Sequence, residues 1–155
     1  MIVMITIQVD TREKPKEYER IGRQFDTLGV HHFRSKLYVG DYQSLDNARL
    51  VVDRKKGLQE LAGNVCQQHD RFRAELIRAQ EAGIQIVILV EFYRLAPRCL
   101  EDVRRWQNPR LKTSPKAITG ERLYRALYTM EHKYDLRFEF CLESQTGQKI
   151  LDILT

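Results

Sequence analysis

The chain has 155 residues, of which 43% are hydrophobic and 30% charged, with a formal net charge of +5. This is enough for one domain with its own core, and no apolar run approaches the roughly 20 residues of a membrane span. The mildly basic balance is compatible with a nucleic-acid partner and does not by itself require one.

Met1-Ile2-Val3-Met4-Ile5 lacks a basic leader and a small-residue cleavage site, so it reads as the start of a first strand. Ile5, Ile7 and Val9 alternate with Thr6, Gln8 and Asp10, which continues that strand to Asp10. Pro15 suits a first helical position, and Tyr18, Ile21, Phe25 and Leu28 follow at helical spacing, closed by Gly29. A β-hairpin is expected over residues 32–43 and 49–55, with its tip near Asn47. Leu58, Leu61 and Val65 mark a short helix, and Phe72, Leu76 and Ala79 a longer one closed by Gly83. Residues 84–90 are nearly all apolar and β-branched, as in a strand buried on both faces. Periodicity is then lost over 94–116, which reads as a long, partly ordered loop or lid. Leu123, Leu127, Met130 and Tyr134 set another helix, residues 137–141 a strand, and Ile150, Leu151 and Leu154 a final short helix. Strands and helices alternate along one unbroken domain of 155 residues. The expected fold is therefore α/β, a sheet covered by helices.

The hairpin register places Asp41 opposite Asp53, and cross-strand neighbours of that kind lie roughly 5 Å apart at Cβ. Two like charges so close need a compensating cation, and a divalent metal held by carboxylate oxygens supplies one. Strand side chains alternate faces, so Lys55 points the same way as Asp53 and Arg54 the other way. Two carboxylates and an amine in one small area suit metal-assisted phosphodiester hydrolysis.

Five stretches carry a more specific signal in their order. They are Val9-Asp10-Thr11-Arg12-Glu13, Val39-Gly40-Asp41-Tyr42, Asp53-Arg54-Lys55, Asp70-Arg71-Phe72, and Val87-Ile88-Leu89-Val90-Glu91. Together they resemble the nuclease domain of the XPF family of structure-specific endonucleases, within the PD-(D/E)XK superfamily. The motif-bearing core covers residues 3–92, and 93–155 adds the basic loop and a helix-strand-helix extension. The resemblance implies a restriction-endonuclease-like core with a central mixed β-sheet flanked by helices. It also implies a Mg²⁺- or Mn²⁺-dependent endonuclease acting on branched or junction DNA in recombination or repair. By the same resemblance Asp41 and Asp53 would bind the metal, with Asp10 beside them. Lys55 would position the attacking water, while Arg54, Arg12 and Glu13 would complete the catalytic set. Arg71 would contact DNA from the following helix.

The chain departs from the family pattern at three points. Asp53 stands where Glu is usual. Gln59 stands where a further acidic residue is usual, with Glu60 as a candidate substitute about 100° away on a helix. No helix-hairpin-helix motif is legible, so a stand-alone form, bacterial or phage in origin, is expected.

Two enzymatic alternatives share the core, a Holliday-junction resolvase and a restriction-type endonuclease. A third alternative is an inactive DNA-binding module, against which the intact Asp41, Asp53 and Lys55 argue. The basic stretch 94–116 is either a solvated loop or a DNA-contacting segment. In the second case Arg104, Arg105, Arg110 and Lys112 would meet phosphates and Trp106 would stack on an unpaired base, unless it anchors the loop. Homodimerisation is expected because a junction has paired arms. Cys66, Cys99 and Cys141 are scattered and odd in number, which indicates reduced thiols in a cytoplasm. Cys66 and His69 have a zinc-like spacing but no obvious second pair.

Overall fold

The protein, seen in a computed structural model, is described over residues 5–155, so Met1–Met4 of the expected first strand lie outside the described residues. The first strand, β1 (Thr6–Val9), buries Ile7 and Val9 completely while Thr6 and Gln8 are half-buried. α1 (Pro15–Thr27) starts on Pro15 and buries Ile21 and Phe25. Its stop is Gly29, whose φ of +71° is a left-handed value that glycine adopts freely. β2 (His31–Arg34), β3 (Tyr42–Ser44) and β4 (Leu50–Lys56) follow. Then come α2 (Gly57–Cys66), α3 (His69–Glu81) and β5 (Gln85–Phe92). α4 (Gly120–Tyr134), β6 (Arg137–Leu142) and α5 (Thr146–Leu154) complete the order.

The six strands form one mixed sheet in the order β2-β1-β3-β4-β5-β6. β3 is antiparallel to both neighbours, and the other pairings are parallel. β5 lies between β4 and the edge strand β6, and its six interior residues are all buried, as its unbroken apolar run requires. Alternation along it feeds two cores. Ile86, Ile88 and Val90 pack with α2, α3 and α4 on one face, through Leu61, Leu76 and Leu127 among others. Leu89, with Val52 of β4, faces α1 and α5, through Ile21, Phe25 and Ile150. This is the helix-covered α/β sheet read from the sequence.

Two expectations are corrected. The segment 32–43 is not one hairpin strand. His31–Arg34 pairs with β1 in parallel at the sheet edge, the chain then crosses over, and Tyr42–Ser44 alone pairs with β4. The bend before β3 needs Gly40. Its φ is +77°, and a Cβ there would sit 2.8 Å from the Val51 side chain. The tip is where it was expected, with Asn47 Oδ1 accepting from the Arg49 N–H at 3.0 Å.

The second correction concerns 94–116, which is not a lid. Two 3₁₀ turns, Leu100–Arg105 and Pro109–Lys112, pack it down. Val103 is fully buried against α4's side of the core, and Asn108 is buried with both ends of its amide bonded, to the Ile118 carbonyl and the Arg110 N–H.

Candidate active site

β1, β4 and β5 point the same way, so Asp10, Asp53–Lys56 and Glu91 gather at one edge of the sheet. The carboxyl ends of strands are the usual binding edge of an α/β sheet. β3 runs against them and starts at this edge, which brings Asp41 in. The Tyr42–Val52 pairing and the 2.8 Å bond from the Asp41 N–H to the Val52 carbonyl put Asp41 opposite Asp53, as the register implied. Asp41 Oδ2 accepts from the Arg54 N–H at 2.8 Å, which fixes its carboxylate. Asp53 is buried, and Lys55 Nζ stands 3.6 Å from its Oδ2 and 5.4 Å from the centre of the Phe72 ring.

Burial, then the charges of Asp53 and Glu13, push the Asp41 carboxyl well above the usual range. Burial works against the Lys55 ammonium, but Asp53 and Asp41 outweigh it and leave its pKa raised. Lys55 therefore stays charged through the neutral range.

A cleft of about 390 Å³ opens over this group, and Arg71, Glu75 and Arg78 of α3 form its far wall. Glu75 was missed in the sequence. Burial, then the Asp53 charge, raises its pKa. Its signal was the i, i+4, i+7 run Arg71, Glu75, Arg78, a charged stripe opposite the buried Phe72, Leu76 and Ala79.

Arg54 points the other way, as alternation required, into a buried ion network. Its guanidinium holds Glu13 with two bonds of 2.9 and 2.7 Å and Glu91 with one of 2.6 Å. Arg20 bridges Glu91 and Glu17 behind it, and the Thr146 hydroxyl donates to Glu91. Arg54 and Glu13 are thus paired to each other beneath the site.

Asp10 is also committed. Its oxygens accept from the Arg12 side chain at 2.6 and 3.3 Å, from the Arg12 N–H at 3.1 Å and from the Leu37 N–H at 2.8 Å. Burial opposes its charge, yet these partners hold its pKa below the usual range. The expected metal ligand is in place as the anchor of Arg12 and of the 35–41 crossing.

The ERCC4 domain profile matches residues 9–153. The chain belongs to the ERCC4 domain family. No curated protein matches it. Two solved structures share its fold. XPF from Aeropyrum pernix is 22% identical, with a TM-score of 0.65 over 96% of this chain and 63% of that one. The same archaeal protein in complex with DNA is 22% identical, with a TM-score of 0.66 over 97% of this chain and 63% of that one. The ERCC4 domain described here thus spans less than two thirds of the length of the XPF chains it resembles.

Within this ERCC4 domain, only Arg71 among the expected DNA contacts reaches the carboxylates. Arg104 is held by Glu121 at 3.3 Å and lies 4.1 Å over the Tyr124 ring. Arg105 and Lys112 are exposed on the two 3₁₀ turns, and Arg110 lines a separate cleft beyond α2. Trp106 packs, partly buried, on the core beside α4, a contact that suits the anchoring role. Glu60 accepts from the Lys56 N–H at 2.9 Å and lines a cleft together with Asp41, Asp53 and Lys55. Gln59 faces away, into the cleft that holds Arg110.

Among the described residues, no three His, Cys, Asp or Glu side chains converge to enclose a metal. A Mg²⁺-like ion is usually held by one or two carboxylates, with water and substrate phosphate filling the other positions. Asp41 and Asp53 are such a pair, and each raises the cost of charge on the other, which a cation between them would offset.

Proposed function

We propose that this ERCC4 domain is a Mg²⁺- or Mn²⁺-dependent DNA endonuclease that hydrolyses phosphodiester bonds at branched or junction DNA during recombination or repair. The observation that carries the reading is the facing pair Asp41 and Asp53 with the Lys55 ammonium at 3.6 Å. The family and its fold support it.

Asp41 and Asp53 would hold the metal. A divalent cation there would neutralise the scissile phosphate and lower the pKa of an attacking water. Lys55, kept protonated by the two aspartates, stabilises the negative charge that builds on the phosphate oxygens. Arg12 and Arg71, exposed at the cleft mouth, orient the strand through its phosphates. Arg54 and Glu13 act one layer down. Their ion pair fixes the β4 backbone, whose N–H at Arg54 aims the Asp41 carboxylate. In this reading they are positioning residues and touch no substrate.

The protein would act in the cytoplasm, where Cys66, Cys99 and Cys141 stay reduced; all three are free. No helix among the described residues is long and apolar enough to cross a membrane. A homodimer would present two such sites to the paired arms of a junction, and sedimentation with and without DNA tests that point.

The direct test is incubation of labelled three-way, four-way and plain duplex DNA with the protein and Mg²⁺, Mn²⁺ or EDTA. Metal-dependent cutting of the branched forms over duplex is expected. Cutting in EDTA, or no cutting of any form, would overturn the reading.

A further inference from the structure

On the far side of α2 lies a second cleft of about 230 Å³, separate from the carboxylate site. One wall is the α2 face Gln59, Ala62, Gly63 and Cys66, at i, i+3, i+4 and i+7. The other is the segment from Asn108 to Ile118 with Arg122 of the first turn of α4. Three cations, Arg110, Lys116 and Arg122, line it, and no Asp or Glu does. Arg104 and Arg125 nearby are both held by Glu121. None of the three cleft cations pairs with a carboxylate among the described residues. The chain has 21 acidic residues, so an acid-free cleft with three cations is not enforced by composition.

The cleft is also built rather than open by accident. The buried Asn108 amide clamps both strands of the loop, and Ser114 bonds back to the Arg110 carbonyl at 2.8 Å. Like charges brought together on a fixed loop repel unless an anion fills the space. The polar groups on offer, guanidinium, ammonium, Gln amide and Ser hydroxyl, are all phosphate partners.

The geometry points to a binding site for a sugar-phosphate backbone in this cleft, which seats DNA on the far side of α2 from the cutting centre. It rests on the nuclease reading for its substrate. α2 begins one residue after Lys56, and its ten residues at about 1.5 Å each put the cleft about 15 Å or less beyond Lys55 along the helix axis. That spans roughly four nucleotides of one duplex strand, at about 3.4 Å each. The strand being cut can therefore reach both places, and so can the neighbouring arm of a branch. Lysine and arginine here fix register along the DNA, and Lys55 and its aspartates do the chemistry.

Cys66 provides a native reporter. It is exposed and lines this cleft, whereas Cys99 is exposed outside it and Cys141 is buried. The experiment measures alkylation of Cys66 and Cys99 by iodoacetamide, by mass spectrometry, with metal-free protein and branched DNA or none. DNA binding is followed in parallel by anisotropy across a salt series. Seated DNA should slow Cys66 at least fivefold and leave Cys99 unchanged.

The triple variant Arg110→Gln, Lys116→Gln, Arg122→Gln should lose that protection. It should also bind about tenfold more weakly, with a log–log salt slope flatter by about 1 to 2. A control triple at the opposite edge of the sheet, Arg23→Gln, Arg49→Gln, Arg137→Gln, should keep the protection and most of the slope. All three cleft cations are exposed, so both triples should melt as wild type does. Unprotected Cys66 in DNA-bound wild type, or equal slopes for the two triples, overturns the cleft alone and leaves the nuclease reading standing. Wild type that binds no DNA overturns both.

Discussion

Asp41 is the residue at which chemistry and stability conflict. Its carboxyl holds a proton to higher pH in the folded chain than in the unfolded one, where its value is near 3.8. The folded state therefore binds more protons, and stability falls as pH rises from that value through the raised one. Asp41→Asn keeps the acceptor for the Arg54 N–H and removes the charge. The metal-free variant should melt about 3 °C above wild type near neutral pH, the equivalent of about 1 kcal/mol, and the gap should close as the pH falls towards about 4. A gap independent of pH would mean that Asp41 carries no such load. Arg54 is the opposite case. Arg54→Gln leaves Glu13 and Glu91 buried without their cation, a loss of about 3 kcal/mol or more in chemical denaturation. A loss below about 1 kcal/mol would remove the positioning role given to that network.

At the scale of elements, the segment between β5 and α4 depends on one close approach. A Cβ on Gly120 would stand 2.6 to 2.8 Å from the carbonyl oxygens of Trp106, Val103 and Arg104, and backbone cannot step aside as a side chain can. Gly120→Ala should cost about 2 kcal/mol, seen as a lower melting temperature. Trp106→Ala should cost a similar amount, about 3 kcal/mol, and leave the preference for branched over duplex DNA unchanged. A changed preference at unchanged stability would restore base stacking by Trp106. This is also the element the sequence hid best. Helices α1, α3 and α4 were legible because Phe25, Leu76 and Leu127 recur with a helical period, and β5 because its apolar run is continuous. Residues 94–116 have no such period. Two short 3₁₀ turns are held by Val103, Trp106 and one amide, Asn108, which composition alone does not distinguish from a solvated loop. The 32–43 segment misled for another reason. Nothing in His31–Arg34 says that its partner is β1 rather than β4. The carboxylate pair survived that error because it depends only on the turn at Asn47. Glu75 and the Glu91–Arg20 network escaped because tertiary packing brings them in from α3, β5 and α1.

For the whole molecule, the account makes the sheet a scaffold whose strand ends converge on one pair of facing carboxylates. Metal should therefore act on the entire fold. Millimolar Mg²⁺ should raise the melting temperature of wild type and leave Asp53→Asn unmoved, since a ligand that binds only the native state stabilises it by mass action. Equal shifts in both would place the metal elsewhere. The most direct measurement is single-turnover cleavage of labelled branched DNA, with binding followed separately, for wild type, Asp53→Ala and Lys55→Ala. Asp53→Ala should bind and not cut. Lys55→Ala should bind and cut about a hundredfold more slowly, the loss of about 3 kcal/mol of electrostatic stabilisation in the chemical step. Cutting by Asp53→Ala at the wild-type rate would contradict the account.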